Sequence, residues 1–286
     1  MSAPDHPARH KGIFRALRRN PLDLLAFGLF ALICLIAVLG PLLVPHDPLA
    51  TDTAVALQPP SASHWFGTDQ LGRDLFSRVV VATRLDLLIA LGAVALSMVA
   101  GSVLGAIIGY WGGVLDTVVS RLVDVLMAFP LFVLAMALVA ALGNSVANVV
   151  YATAIVNLPF YIRLARSELR PRRALGYVEA ARAGGSGDWR ILWRHLIPNI
   201  AAPLVIQASV NLGWAMLNAA GLSFLGLGVR PPTPEWGIMV AEGARFIGSG
   251  QWWIVTFPGL ALMLAVLAFN LLGDALRDLL DPRLRR

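Results

Sequence analysis

Few residues in this chain have the type and spacing for covalent chemistry. Ser223 sits in Gly221-Leu222-Ser223-Phe224-Leu225-Gly226, where the second glycine comes one residue too late for the G-x-S-x-G turn that exposes a serine nucleophile. Lys11 is the sole lysine and stands outside any glycine-rich loop. The phosphate-cradling pattern G-x-x-x-x-G-K-[ST] is therefore absent, and any ATP that drives this protein is bound by another chain. His6, His10, His46, His64 and His195 are dispersed, with no His/Cys/carboxylate spacing resembling a metal site. Cys34 is the only cysteine, so an intramolecular disulfide is excluded. The expectation is no catalytic residue, no cofactor and no bound metal.

What remains is recognition chemistry, concentrated in the polar, arginine-bearing block from Glu179 to Pro198. Gly184, Gly185 and Gly187 interrupt a helix arriving from Glu179, Ala180 and Ala181, because glycine loses the most backbone freedom in a helix. Ser186 or Asp188 can cap a new short helix, and Pro198 disfavours helical geometry at Ile197 and closes it. Along it Trp189, Leu192, Trp193 and Leu196 fall at i, i+3, i+4 and i+7, one apolar stripe. A helix this short is marginal alone and needs a surface. Two surfaces qualify: the protein's own membrane helices or lipid headgroups, or a groove in a separate subunit with the tryptophans as anchors.

The elements that position this block are membrane helices. Hydrophobic residues make up 57% of the 286 and charged residues 14%, and mean hydropathy is +0.71, outside the range of soluble domains. Apolar runs long enough to cross a bilayer lie near 23–44, 85–109, 122–142, 146–165, 199–219 and 253–273, which predicts six spans. Seventeen of the 23 basic residues fall before the first span, in 163–194 and in 277–286. The positive-inside rule makes that side cytoplasmic, both termini included. The arginines flank spans and form no separate basic domain, so nucleic-acid binding is a poor reading.

Charges inside the spans are few, which argues against an ion-coupled carrier. Asp116, Arg121 and Asp124 stand at the start of the third span, with Arg121 and Asp124 spaced to pair. Ser97, Gly101, Gly105 and Gly109 recur every four residues in the second span and predict a close-packed seam, within the subunit or with a partner. Asn157 and Asn211 are polar groups within apolar runs, expected to hydrogen-bond between helices, with lining of a solute pathway as the functional alternative.

Two segments face the other side. In 45–84 the prolines Pro45, Pro48, Pro59 and Pro60 exclude a long helix through the first part, and Trp65-Phe66 suggests anchoring at the membrane interface. Gly221 to Gly237 reads as a glycine-rich apolar turn followed by Pro231, Pro232 and Pro234, a rigid cap.

Four signatures together carry a resemblance: Phe66-Gly67-Thr68-Asp69-Gln70-Leu71-Gly72-Arg73-Asp74, the Glu-Ala-Ala block at 179–198, Gly221 to Gly237, and the tail from Phe257-Pro258-Gly259 through Phe269-Asn270-Leu271-Leu272-Gly273-Asp274 to Asp281-Pro282-Arg283. From about residue 20 to the end the chain resembles the inner-membrane permeases of ATP-binding-cassette importers, specifically the C-type permease of the dipeptide/oligopeptide/nickel group. Glu179, Ala180, Ala181, Gly185 and Pro198 match the Glu-Ala-Ala motif in spacing. Two departures stand out: Gly184 replaces a larger apolar residue, and Leu196-Ile197 inverts the usual order.

The resemblance implies an all-α integral membrane protein with the six-span type I importer (MetI-like) fold. It implies a cytoplasmic tail at 1–22, a first transmembrane helix at 23–44, an exterior segment at 45–84, a core permease domain at 85–273 with a coupling loop at 166–198, and a cytoplasmic tail at 274–286. A second, homologous permease, two cytoplasmic ATPase subunits gripping the coupling helix, and an extracytoplasmic solute-binding protein are the implied partners, in a bacterial inner membrane. Peptide is the leading cargo, with nickel complexes or glutathione as alternatives and a stand-alone secondary transporter as the reading from another class.

Overall fold

The computed structural model describes residues 21–280, and the tail residues on either side, including the basic residues before position 20, lie outside them. All regular structure among the described residues is helical: α1 (Pro21–Leu43), α2 (Leu75–Trp111), α3 (Gly113–Ala128), α4 (Leu131–Leu142), α5 (Val146–Arg172), α6 (Gly176–Ala183), α7 (Asp188–Ile191), α8 (Ile197–Phe224), α9 (Trp236–Ala244) and α10 (Trp253–Leu280). Four helical stretches are long and apolar enough to cross a membrane: α1, α2, Asp188–Phe224 and α10. A bent pair, α3 with α4, makes a fifth.

The six expected segments therefore all fold as helix, but not as six equal spans. The run at 122–142 is broken at Phe129-Pro130 and bends by 95°. Phe129 leaves the helix at φ −82°, ψ 145°, the extended geometry forced on a residue before proline. The run at 146–165 lies in α5, whose 27 residues are long enough. Asn148, Thr153, Asn157 and Arg163 interrupt it, and it falls short of the apolarity of the others.

The core forms where α2, α5, α8 and α10 meet, with Tyr161, Leu169, Ala215 and Phe269 buried there. The α2–α5 contact is the most extensive, and the four-residue stripe accounts for it. A Cβ on Gly101 would lie 2.7 Å from the Tyr161 Cβ, one on Gly105 2.4 Å from the Ile162 carbonyl oxygen, and one on Gly109 3.1 Å from that of Arg166. Ser97, fully buried, returns its hydroxyl to the Ala93 carbonyl at 2.8 Å. The seam thus lies within the subunit. α1 is peripheral, packed on α2 and α10.

Candidate functional site

Three groups of residues separate along the chain. The first is the 179–198 block. α6 ends at Gly184, whose N–H bonds the Ala180 carbonyl at 2.9 Å. Gly185 follows at φ +79°, a conformation that requires glycine. Glu179, Ala180 and Asp188 are exposed. Neither Ser186 nor Asp188 caps the next helix: Gly187 takes the cap position with no side-chain bond. Asp188 instead accepts the hydroxyl of Tyr110, at the far end of α2. Arg182 donates to the same hydroxyl at 3.1 Å and Arg173 to the Tyr110 carbonyl at 3.0 Å.

The expected single stripe is split. Residues Leu192–Leu196 form a π turn, whose wider i→i+5 winding rotates side chains relative to an α-helix. Ile191, Leu192 and Leu196 are fully buried, while Trp189 is 58% and Trp193 49% exposed. Nor does Pro198 end the helix. It sits in the first turn of α8, where proline's missing N–H costs nothing, so the block runs straight into a membrane helix. Trp189 leans against Trp111 with ring centroids 4.9 Å apart. The result is an aromatic pair presented outward on a base of buried leucines.

The second group lies at the opposite end of α2. Residues 44–74 fold as a strap rather than a loose loop: Asp52, Leu57 and Thr68 donate backbone N–H groups to Leu71, Asp69 and Gln58. Gly72 (φ +72°) passes so close to Asp52 that a Cβ would overlap its carbonyl oxygen at 1.7 Å. The part of 45–84 beyond Asp74 is already helical, because Asp74 caps α2 by accepting the Ser77 N–H at 2.8 Å and hydroxyl at 2.7 Å. Trp65 stays exposed, but Phe66 turns inward and stacks on Phe257 at 3.9 Å.

Arg73 and Arg78, expected in an exterior segment, are only 2% and 1% exposed. The Asp69 carboxylate holds Arg73 Nε at 2.6 Å and lies 3.5 Å from Arg78 Nε. Glu242 of α9 approaches both. Arg78 also donates to the carbonyls of Pro48 at 3.0 Å and Pro232 at 3.4 Å, tying the strap to the proline-bearing segment before α9. In the later segment α8 continues through Phe224, so the glycine-rich turn begins only at Leu225. Glu235 caps α9 through the N–H groups of Gly237 and Ile238, at 2.9 and 2.8 Å. Burial pushes its carboxyl above the ordinary value of 4.5, although those two N–H bonds pull the other way. Trp236 is fixed by Asp86 through its backbone N–H (3.1 Å) and by the Val79 carbonyl through its indole N–H (3.0 Å).

The third group is polar and lies among the membrane helices. Asn157 and Asn211 are buried within the subunit. Gln207 donates to the Asn211 side-chain oxygen at 2.9 Å, and Asn218 of α8 donates to Thr153 of α5 at 3.1 Å. Asp124 and Arg121 do approach, at 3.9 Å, but Arg163 of α5 holds Asp124 more closely at 2.6 Å. Asp116 is gripped by Arg166. Asp124, Arg163 and Arg166 line a cleft of about 370 Å³ between α3 and α5, with Ser120 and Ser167.

Sequence reading passes over Tyr110, Arg73, Arg78, Glu235 and the convergence of histidines in the strap. The histidines His46 and His64, 18 positions apart, come together with Asp74, and their ligating atoms lie within 4.8 Å of one another. The Arg73-Asp74 signature was the one signal available, and it does not reveal that the arginines turn inward.

The pattern described as "Binding-protein-dependent transport system inner membrane component" matches residues 101–286, and "N-terminal TM domain of oligopeptide transport permease C" matches residues 11–60. The chain is 45% identical over 267 residues to the "Probable D,D-dipeptide transport system permease protein" of Escherichia coli (strain K12), covering 93% of this chain and 89% of the relative. It is 44% identical over 272 residues to the "Dipeptide transport system permease protein" of Alkalihalophilus pseudofirmus, covering 95% and 89%. It is also 44% identical over 262 residues to the "Glutathione transport system permease protein" of Pectobacterium atrosepticum, covering 91% and 87%.

Proposed function

The chain belongs to the family of binding-protein-dependent transport system inner membrane components, and from that premise we propose that it is one of two permeases lining the path of an ATP-driven peptide importer. It is a multi-pass inner-membrane transport protein, not an enzyme. The ATPases that drive it are separate cytoplasmic subunits. They grip the loop through Glu179, Ala180, Ala181, Gly185, Asp188, Trp189, Trp193 and Pro198, while Leu192 and Leu196, expected on the same contact face, are buried in this subunit and support the tryptophans from within. Closure of the ATPases moves this loop and rocks the permeases between openings. Both termini lie on the cytoplasmic side, as the arginine distribution indicates.

The observation that carries this reading is the exposed pair Trp189 and Trp193, held outward by the buried Leu192 and Leu196. Large aromatics left about half exposed by their own subunit are the residues that anchor interfaces. The second permease covers the apolar face of α3 and α4, where Val114, Val118, Leu122, Val125 and Phe129 are exposed. Peptide is the cargo because the relatives quoted carry dipeptides by name. Glutathione, itself a small peptide derivative, is a second reading supported by one relative of similar identity.

Replacing Trp189 and Trp193 together with alanine is expected to release the ATPase subunits, at about 2 kcal/mol or more for such anchors, with membrane insertion unchanged. Co-purification from membranes reads this directly. Undiminished ATPase recovery and undiminished peptide-stimulated hydrolysis would sink the proposal.

A further inference from the structure

We propose that His46, His64 and Asp74 form a site for a divalent transition-metal ion of the zinc class on the exterior strap. The three residues come from separate parts of it: His46 follows the end of α1, His64 lies mid-strap, and Asp74 caps α2. Their donor atoms converge within 4.8 Å, and the two imidazole rings are neighbours, tilted by 31° with centroids 4.8 Å apart. Two imidazoles and one carboxylate are the borderline N/O set that suits zinc, with a fourth position left for water.

The hydrogen bonds already orient these groups for the task. His46 Nε2 lies 3.0 Å from the Ser63 carbonyl oxygen. A carbonyl only accepts, so Nε2 carries the hydrogen and Nδ1 keeps its lone pair. An imidazole that donates one N–H to a backbone carbonyl and offers its other nitrogen is the usual arrangement of a metal-ligating histidine. His64 Nδ1 and Asp74 Oδ1 are 2.9 Å apart and share one hydrogen, whose place the ion takes on release of that proton. Asp74 Oδ2 remains committed to the N–H and hydroxyl of Ser77, so metal binding leaves the cap of α2 intact.

Donors around a tetrahedral zinc lie about 3.4 Å apart, so closing the site needs roughly an ångström of side-chain movement. His46 is exposed and free to supply it. The bound ion would pin the end of α1 to the start of α2 through the strap. This holds whatever solute the protein carries.

The test uses the assembled transporter purified on a tag without histidines and stripped with a chelator, then titrated with Zn²⁺ and with Co²⁺ as a spectroscopic probe. One equivalent per copy of this chain is expected, with the visible bands of low-symmetry Co²⁺ appearing in step. His46→Gln and His64→Gln should each remove that equivalent and those bands while the assembly elutes unchanged. His46→Gln is the decisive variant, because its side chain is exposed and caps no helix. Wild type that binds no more metal than the double variant, or binding that survives both substitutions, overturns the site. Neither readout depends on transport, so failure here leaves the permease reading untouched.

Discussion

At Gly184 and Gly185 two adjacent glycines make different demands. Gly185 has φ +79°, whereas Gly184 sits at φ −77° as the C-cap of α6, with room for a Cβ 3.4 Å from the Ala180 carbonyl oxygen. Gly184→Ala should therefore be neutral or stabilising by up to about 1 kcal/mol, through lost freedom in the unfolded chain. Gly185→Ala should cost about 1–2 kcal/mol. Thermal unfolding of the two variants checks the order. The departure from the family motif at Gly184 is thus one of loop stiffness, not of shape. Glu235 makes a second point at this scale. Its folded carboxyl titrates above its unfolded value of 4.5. The folded state therefore holds a proton that the unfolded chain releases, and stability from this group is complete below pH 4.5 and lost as pH rises through the higher folded value. Protection of the Trp236–Ala244 amides, corrected for intrinsic exchange, should fall over that rise in wild type. Glu235→Gln, which cannot ionise, should reduce the dependence, leaving the share that belongs to the Asp86 carboxyl hydrogen-bonded to it.

Among the elements, the glycine stripe and the tryptophan–leucine stripe show what a sequence pattern can and cannot carry. The glycine stripe was legible because α2 is regular throughout, so four-residue spacing fixes one face whatever packs on it. The tryptophan–leucine stripe was misread because that rule assumes α geometry, and the π turn at Leu192–Leu196 breaks it. The bend at Pro130 was likewise in the sequence, but it was masked by the apolar residues on both sides. The seam gives a graded prediction: Gly105→Ala should destabilise most, then Gly101→Ala, with Gly109→Ala least, following added-methyl distances of 2.4, 2.7 and 3.1 Å. Overpacking of this kind costs about 1–3 kcal/mol. Melting temperatures in the opposite order would show that the seam relaxes by sliding.

For the whole molecule, the apolar runs gave away the helical class and the family motifs gave away the importer permease, but the exterior strap stayed hidden. The segment that carries Arg73 and Arg78 reads in the sequence only as proline- and glycine-rich. Asp69 is a local partner, four residues from Arg73, but only tertiary folding brings Glu242 and the carbonyls of Pro48 and Pro232 around the two arginines. α5 is the converse case: its polar residues weaken the span signal, yet two of them, Thr153 and Asn157, are buried against neighbouring helices. A molecule-scale prediction follows from the face of α3 and α4, where Val114 is 81% exposed. Produced without its companion permease, the chain should aggregate on extraction, and co-production should restore a monodisperse peak by size-exclusion chromatography. A monodisperse lone chain would assign that face to lipid.

The helix α2 is clamped at both ends, by Arg78 in the strap and by Tyr110 at the 179–198 block. The 32 residue steps from Arg78 to Tyr110 span about 48 Å at 1.5 Å per residue. Glycines fuse this rod along its length to α5, so it has no soft joint in the middle. Such a rod acts as a lever arm: a tilt of about 5° displaces one clamp by roughly 4 Å relative to the other. Force applied at the 179–198 block therefore reaches the strap as motion, not as local deformation, and no relay of rearranging side chains is needed between them.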